Sequence, residues 1–67
     1  MIFNINPYYR AFVADCIEHG IWHGATWEEC FRGLGFSSYK FDGYDDSQMS
    51  WHYLNDDEFV IFALRFS

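Results

Sequence analysis

Basic side chains are scarce in this chain. Lys and Arg number 4 of 67 residues (Arg10, Arg32, Lys40 and Arg65) against 10 Asp and Glu, a formal net charge of −6. That balance argues against direct binding of DNA or RNA, because nucleic-acid affinity rests on neutralising phosphates with Lys and Arg. It equally disfavours anionic membranes. No apolar run approaches the roughly 18 residues of a membrane span, and "MIFNINPYYR" has neither the basic region nor the long apolar stretch of a secretory leader. Cysteine is limited to Cys16 and Cys30. With no sign of export, they read as free thiols in a reducing, cytoplasmic setting rather than as a disulfide. There is no P-loop, no Gly-rich phosphate cradle, no EF-hand spacing, and no linker or repeat.

Aromatic residues are what the chain has in quantity: 24% of it, as 8 Phe, 5 Tyr and 3 Trp. A body this small buries only about 60% of its unfolded surface, so it is one domain with a small core. Aromatics bury roughly 150–250 Å² each, and they supply most of that core. Not all of them fit inside, so some Tyr and Trp are expected at the surface, where aromatics commonly anchor contacts.

Hydrophobic periodicity places two helices in the first half. In "NPYYRAFVADCIEHG", Asn6 suits an N-cap and Pro7 the first helical position. Tyr9, Phe12, Val13, Cys16 and Ile17 then follow helical spacing, and Gly20 suits the stop. In "TWEECFRGLG", Thr26 and Glu29 form a capping box, and Trp27, Cys30, Phe31 and Leu34 make one stripe. After Gly35 the period changes to two. "SYKFD", residues 50–54 and residues 59–66 read as three antiparallel strands, with the last covered on both sides because both of its faces are apolar. "IFNI" is a candidate N-terminal edge strand. The expected architecture is therefore α+β: two helices packed on a small antiparallel sheet.

The acidic residues are concentrated. "FDGYDDSQMSWHYLNDDEF" holds Asp42, Asp45, Asp46, Asp56, Asp57 and Glu58, with no Lys or Arg among them. Any one Asp in a turn needs no function. Six carboxylates without counter-charge repel one another and cost a small domain stability. They are read as a contact surface, with Tyr44 and His52 as secondary contacts and Trp51 as core. In a meander, the 42–49 loop and the 55–58 turn lie at opposite ends of a middle strand about 17 Å long, giving two acidic poles. The expected partner is a basic protein surface, since opposite potentials speed and orient encounter.

Other constellations are weaker. Cys16, His19, His23 and Cys30 have zinc-ligand chemistry and loosely suitable spacing. Both cysteines fall on helical apolar stripes, where a free thiol is ordinary core. A Cys–His nucleophile pair lacks any visible oxyanion hole or orienting residue. A chain this short leaves little room for a substrate pocket of the usual ~300–1,000 Å³. No enzymatic activity, metal or cofactor is expected.

Excess acid, abundant aromatics and no catalytic motif, carried by "FDGYDDSQMSWHYLNDDEF", resemble the small inhibitors made by bacteriophages, above all the anti-CRISPR proteins. The resemblance is one of type, so no family residue is carried over. It implies a DNA mimic that occludes the DNA-binding or PAM-reading surface of a CRISPR effector complex in the bacterial cytoplasm, where a positively charged channel holds the guide–target duplex. Two other readings stay open: an acidic immunity protein or antitoxin that blocks a nuclease, and a small zinc-stabilised structural module.

Overall fold

In a computed structural model describing residues 1–67, strand β1 (Ile2–Asn4) leads through a 3-10 turn (Asn6–Tyr8) into α1 (Tyr9–Glu18). Helix α2 (Trp27–Gly33), strands β2 (Lys40–Tyr44) and β3 (Ser50–Tyr53), and helix α3 (Asp56–Phe66) follow. The fold is α+β, with a three-stranded antiparallel sheet in the order β1-β3-β2.

Local chemistry sets most boundaries. Pro7 occupies the start of the 3-10 turn as its fixed φ allows. Asn6 caps nothing, contrary to expectation; Oδ1 of Asn4 instead accepts from its backbone N–H at 2.8 Å. Helices α1 and α2 end alike. Gly20 (φ +71°) and Gly35 (φ +99°) take the left-handed residue that any side chain would strain. The amides of Gly20 and Ile21 then return to the carbonyls of Ile17 and Cys16, and those of Gly35 and Phe36 to Arg32 and Phe31, a Schellman closure in each case. At the start of α2, Thr26 and Glu29 exchange side-chain to backbone hydrogen bonds of 3.1 Å, the expected capping box.

Residues 59–66 are not a strand. They belong to a third helix, and the sheet takes its third strand from the N-terminus instead. The cause lies just upstream. Oδ1 of Asn55 accepts from the Glu58 backbone N–H at 2.8 Å, and Asp56, Asp57 and Glu58 occupy the first turn, where carboxylates favour a helix dipole. What reads as a polar hairpin turn is a capped helix start. Phe59, Phe62 and Phe66 then share one helical face, with Phe62 and Phe66 buried and Phe59 partly so.

Register puts Phe3 opposite His52 and His52 opposite Phe41. Phe3 and His52 point into the core, so their neighbours Ile2, Asn4, Trp51 and Tyr53 point the other way. The helices pack on the inner face only. Phe31 sits at the centre: its ring stacks on Tyr39 at 4.1 Å and contacts Phe12, Phe62 and His52 at 4.5, 5.4 and 5.6 Å. Cys16 and Cys30 are buried in the same cluster.

Candidate functional site: an acidic rim around an open sheet face

The outer sheet face carries Ile2, Asn4, Lys40, Trp51 and Tyr53. Ile2 is 54% exposed, Trp51 and Tyr53 are half-buried, and Lys40 lies over the Tyr53 ring at 5.9 Å. Trp51 is therefore not core, as expected from sequence, but part of the surface. The acidic residues sit at both ends of this sheet and, through Asp42, midway along its β2 edge. Asp42 lies where the β2 register shifts between Phe41 and Gly43, with Asp45 and Asp46 in the following turn. Asp56 and Asp57 lie at the other end, beyond β3, where Asp56 approaches the Met1 amino group at 3.7 Å. Acid thus lies at both ends of β3, one end built by the Asp45–Asp46 turn and the other by a helix start. Asp42 does not end a strand as expected: β2 runs on to Tyr44 and leaves it midway along the sheet.

The carboxylates divide by what they already hold. Oδ1 of Asp45 accepts from the amides of Ser47 (2.8 Å) and Met49 (3.1 Å), and its Oδ2 accepts from the Trp51 indole N–H (3.0 Å). The Trp51 bond, then the backbone bond from Met49, holds the Asp45 carboxyl below its usual pKa. This tight turn places Gln48 at φ +66°. Glu58 accepts from the Ser38 hydroxyl at 2.6 Å and amide at 2.9 Å, and from the amide and hydroxyl of Ser37, both at 3.2 Å. Its pKa is lowered too, first by the Ser38 hydroxyl. It fastens α3 to the loop before β2. Asp42, Asp46, Asp56 and Asp57 are exposed and make no side-chain hydrogen bond.

The four basic residues are engaged elsewhere or stand apart. Arg32 pairs with Glu28 at 3.1 Å, and Arg65 pairs with Asp15. Arg10 forms no ion pair, and Lys40 leans on Tyr53. No Lys or Arg neutralises any of the six carboxylates of residues 42–58. Tyr44 is 66% exposed and meets Phe41 edge-on at 5.3 Å.

His52 is removed from the contact set, because its side chain is fully buried. Burial pushes its pKa down to about 4. Tyr39, whose phenol burial raises, keeps its proton and meets Nδ1 at 2.6 Å. On the other side of the ring, Nε2 lies 2.9 Å from the Ser50 hydroxyl, so both ring nitrogens have a hydrogen-bond partner. Tyr39, His52 and Ser50 form a neutral hydrogen-bonded network inside an aromatic core.

Cys16, His19, His23 and Cys30 do not converge. The cysteines are buried while both histidines are exposed, and no three His, Cys, Asp or Glu side chains are gathered to hold a metal. Burial, then the neighbouring Cys30, pushes the Cys16 thiol up to about 12, far from a reactive thiolate. The largest hollow, about 490 Å³, is lined by Gly20, Ile21, His23, Gly24, Ala25 and Glu29. It is roomier than the chain length suggests. Its one carboxylate, Glu29, is occupied by capping Thr26.

Sequence reasoning missed Ile2, Asn4 and Lys40 as a surface. The period-two pattern of "IFN" contained the signal, since one buried Phe3 turns both its neighbours outward. No helix is long and apolar enough to cross a membrane. No family model matches the chain, and neither a curated protein nor a solved structure does.

Proposed function

We propose that the protein is a non-enzymatic inhibitor that docks its acidic rim on a basic, nucleic-acid-binding protein surface. The target class we favour is a CRISPR–Cas effector complex in the bacterial cytoplasm, with the acids standing where DNA phosphates would lie. One observation carries this reading. The chain pairs Arg32 and Arg65 with carboxylates outside the acidic segment, yet leaves all six acids of that segment without a Lys or Arg partner. Uncompensated like charge is costly to a small fold, and a basic partner recovers that cost on binding.

The sheet gives such a contact stiffness. Asp46 stands at one end and Asp56 and Asp57 at the other, separated by a strand of four residues, with Asp42 midway along the neighbouring strand. Trp51 and Tyr53 lie between, as rigid aromatics suited to a contact centre. A duplex-holding channel lined with Lys and Arg is complementary to that pattern.

The test is a DNA-binding assay on a panel of purified effector complexes with the protein titrated in. Loss of target-DNA binding by one complex, relieved by the Asp42→Lys, Asp46→Lys variant, supports the reading. Unchanged DNA binding across the panel contradicts the effector assignment. Inhibition of a basic nuclease under the same conditions would move the target while keeping the charge mechanism.

A further inference from the structure

Helix α3 has a second apolar face that packs on nothing. Asp57, Val60, Ile61 and Leu64 follow the i, i+3, i+4, i+7 spacing of one helical stripe. Val60, Ile61 and Leu64 are 56%, 57% and 77% exposed. Val and Ile are poorer helix formers than Lys, Glu or Ala. At exposed positions they weaken the helix and gain no burial in return. That choice makes sense where a partner covers the stripe, and i, i+3, i+4, i+7 anchors are how helices seat in grooves.

Charge selects the occupant. At the stripe's N-terminal end, Asp57 has no cation beside it, and Asp56 has only the Met1 amino group at 3.7 Å. At the other end, Arg65 is held by Asp15. The stripe therefore meets its surroundings as apolar and negative. A second copy would bring a further −6 of like charge. A helix of 11 residues, about 16 Å long and about 10 Å across, offers on one face far less than the roughly 800 Å² per partner of a stable interface. The stripe therefore serves as one part of a larger contact, as with a partner that also meets the acidic rim, and not as a dimer face by itself. An anionic membrane is repelled by the same charges.

We propose that α3 is a docking helix whose Val60, Ile61 and Leu64 seat in an apolar groove of the partner protein, rimmed by Lys or Arg where Asp56 and Asp57 arrive. The proposal rests on the partner being basic, as above, and extends the contact beyond the sheet face onto α3, with Asp56 and Asp57 shared between the two.

The test uses the intact chain, labelled with ¹⁵N, and three synthetic helical peptides. One carries a Leu stripe flanked by Lys; one has Gln in place of Leu; one has Glu in place of Lys. The Leu/Lys peptide is expected to shift the amides of residues 57–64. Leu64→Asn should weaken that binding at least fivefold, and Val60→Thr should weaken it in the same direction, with the circular dichroism of both variants unchanged. The Gln/Lys peptide should shift only residues around Asp42, Asp46, Asp56 and Asp57. Binding of the Leu/Lys peptide that leaves α3 unshifted, or that both variants retain in full, overturns the docking helix. Equal binding of the Leu/Glu peptide overturns its preference for a basic groove. Concentration-dependent shifts of the same amides without peptide would assign the face to a second copy instead. Failure of both Lys peptides to shift the four aspartates counts separately, against the acidic-rim reading.

Discussion

The indole N–H of Trp51 donates to Oδ2 of Asp45 at 3.0 Å, tying the surface of β3 to the turn that precedes it. The same carboxylate holds the amides of Ser47 and Met49. Asp45 thus organises the turn that carries Asp46, and these adjacent acids have different roles.

Asp45→Ala should lower the melting temperature and alter Trp51 fluorescence, whereas Asp46→Ala should do neither. Thermal denaturation followed by tryptophan emission distinguishes the two. Equal, small effects would show that the turn does not depend on Asp45. For the same reason, a charge-reversal test of binding belongs at Asp42 and Asp46. Reversing Asp45 would confound lost contact with lost structure.

His52 makes the fold acid-sensitive. Its folded pKa lies near 4 against an ordinary 6.5, because burial disfavours the charged ring. The unfolded chain therefore binds the proton more readily. Stability is fully present above pH 6.5 and falls as pH drops towards 4, by about 3 kcal/mol in all. Urea unfolding at pH 7 and pH 4.5 measures this. In His52→Gln, which keeps polar atoms at the site without the titration, most of the slope in that window should disappear, leaving the smaller part that the lowered carboxyls of Asp45 and Glu58 contribute at its acid end. A slope equal to that of the unaltered chain would place the sensitivity elsewhere.

Much of the first half of the fold was legible, because its signals are local. The Thr26–Glu29 box and the stops at Gly20 and Gly35 lie within a few residues of what they control. Residues 59–66 misled because two apolar faces fit a buried strand as well as a helix with one bare face. Asn55, three residues before Glu58, was the signal that decides between them. In "SWHYL", alternation puts Trp51 and Tyr53 on one face and His52 with Leu54 on the other, but a lone strand does not say which face is inside. Pairing with Phe3 settles that. The acidic surface was legible as composition. The structural duties of Asp45 and Glu58 were not, since Glu58 is held by Ser37 and Ser38, twenty residues away along the chain.

Glu58→Ala should therefore destabilise the fold where Asp57→Ala has a smaller effect. Charge-assisted hydrogen bonds contribute about 1.5–3 kcal/mol, so chemical denaturation should report a loss of about 2 kcal/mol for Glu58→Ala. It should report less than about 1 kcal/mol for Asp57→Ala, which removes only a favourable charge at a helix start. Equal losses would mean that the Ser37–Ser38 clamp contributes nothing.

The central claim is that unpaired carboxylates take the place of phosphates on a basic surface. Its most direct test is the salt dependence of affinity for the inhibited effector complex, measured for the unaltered chain and for the Asp42→Lys, Asp46→Lys variant. Affinity of the unaltered chain should fall steeply as ionic strength rises, and the variant should bind weakly at every salt concentration. Affinity that is indifferent to salt, or a variant that binds as tightly as the original, would contradict the account.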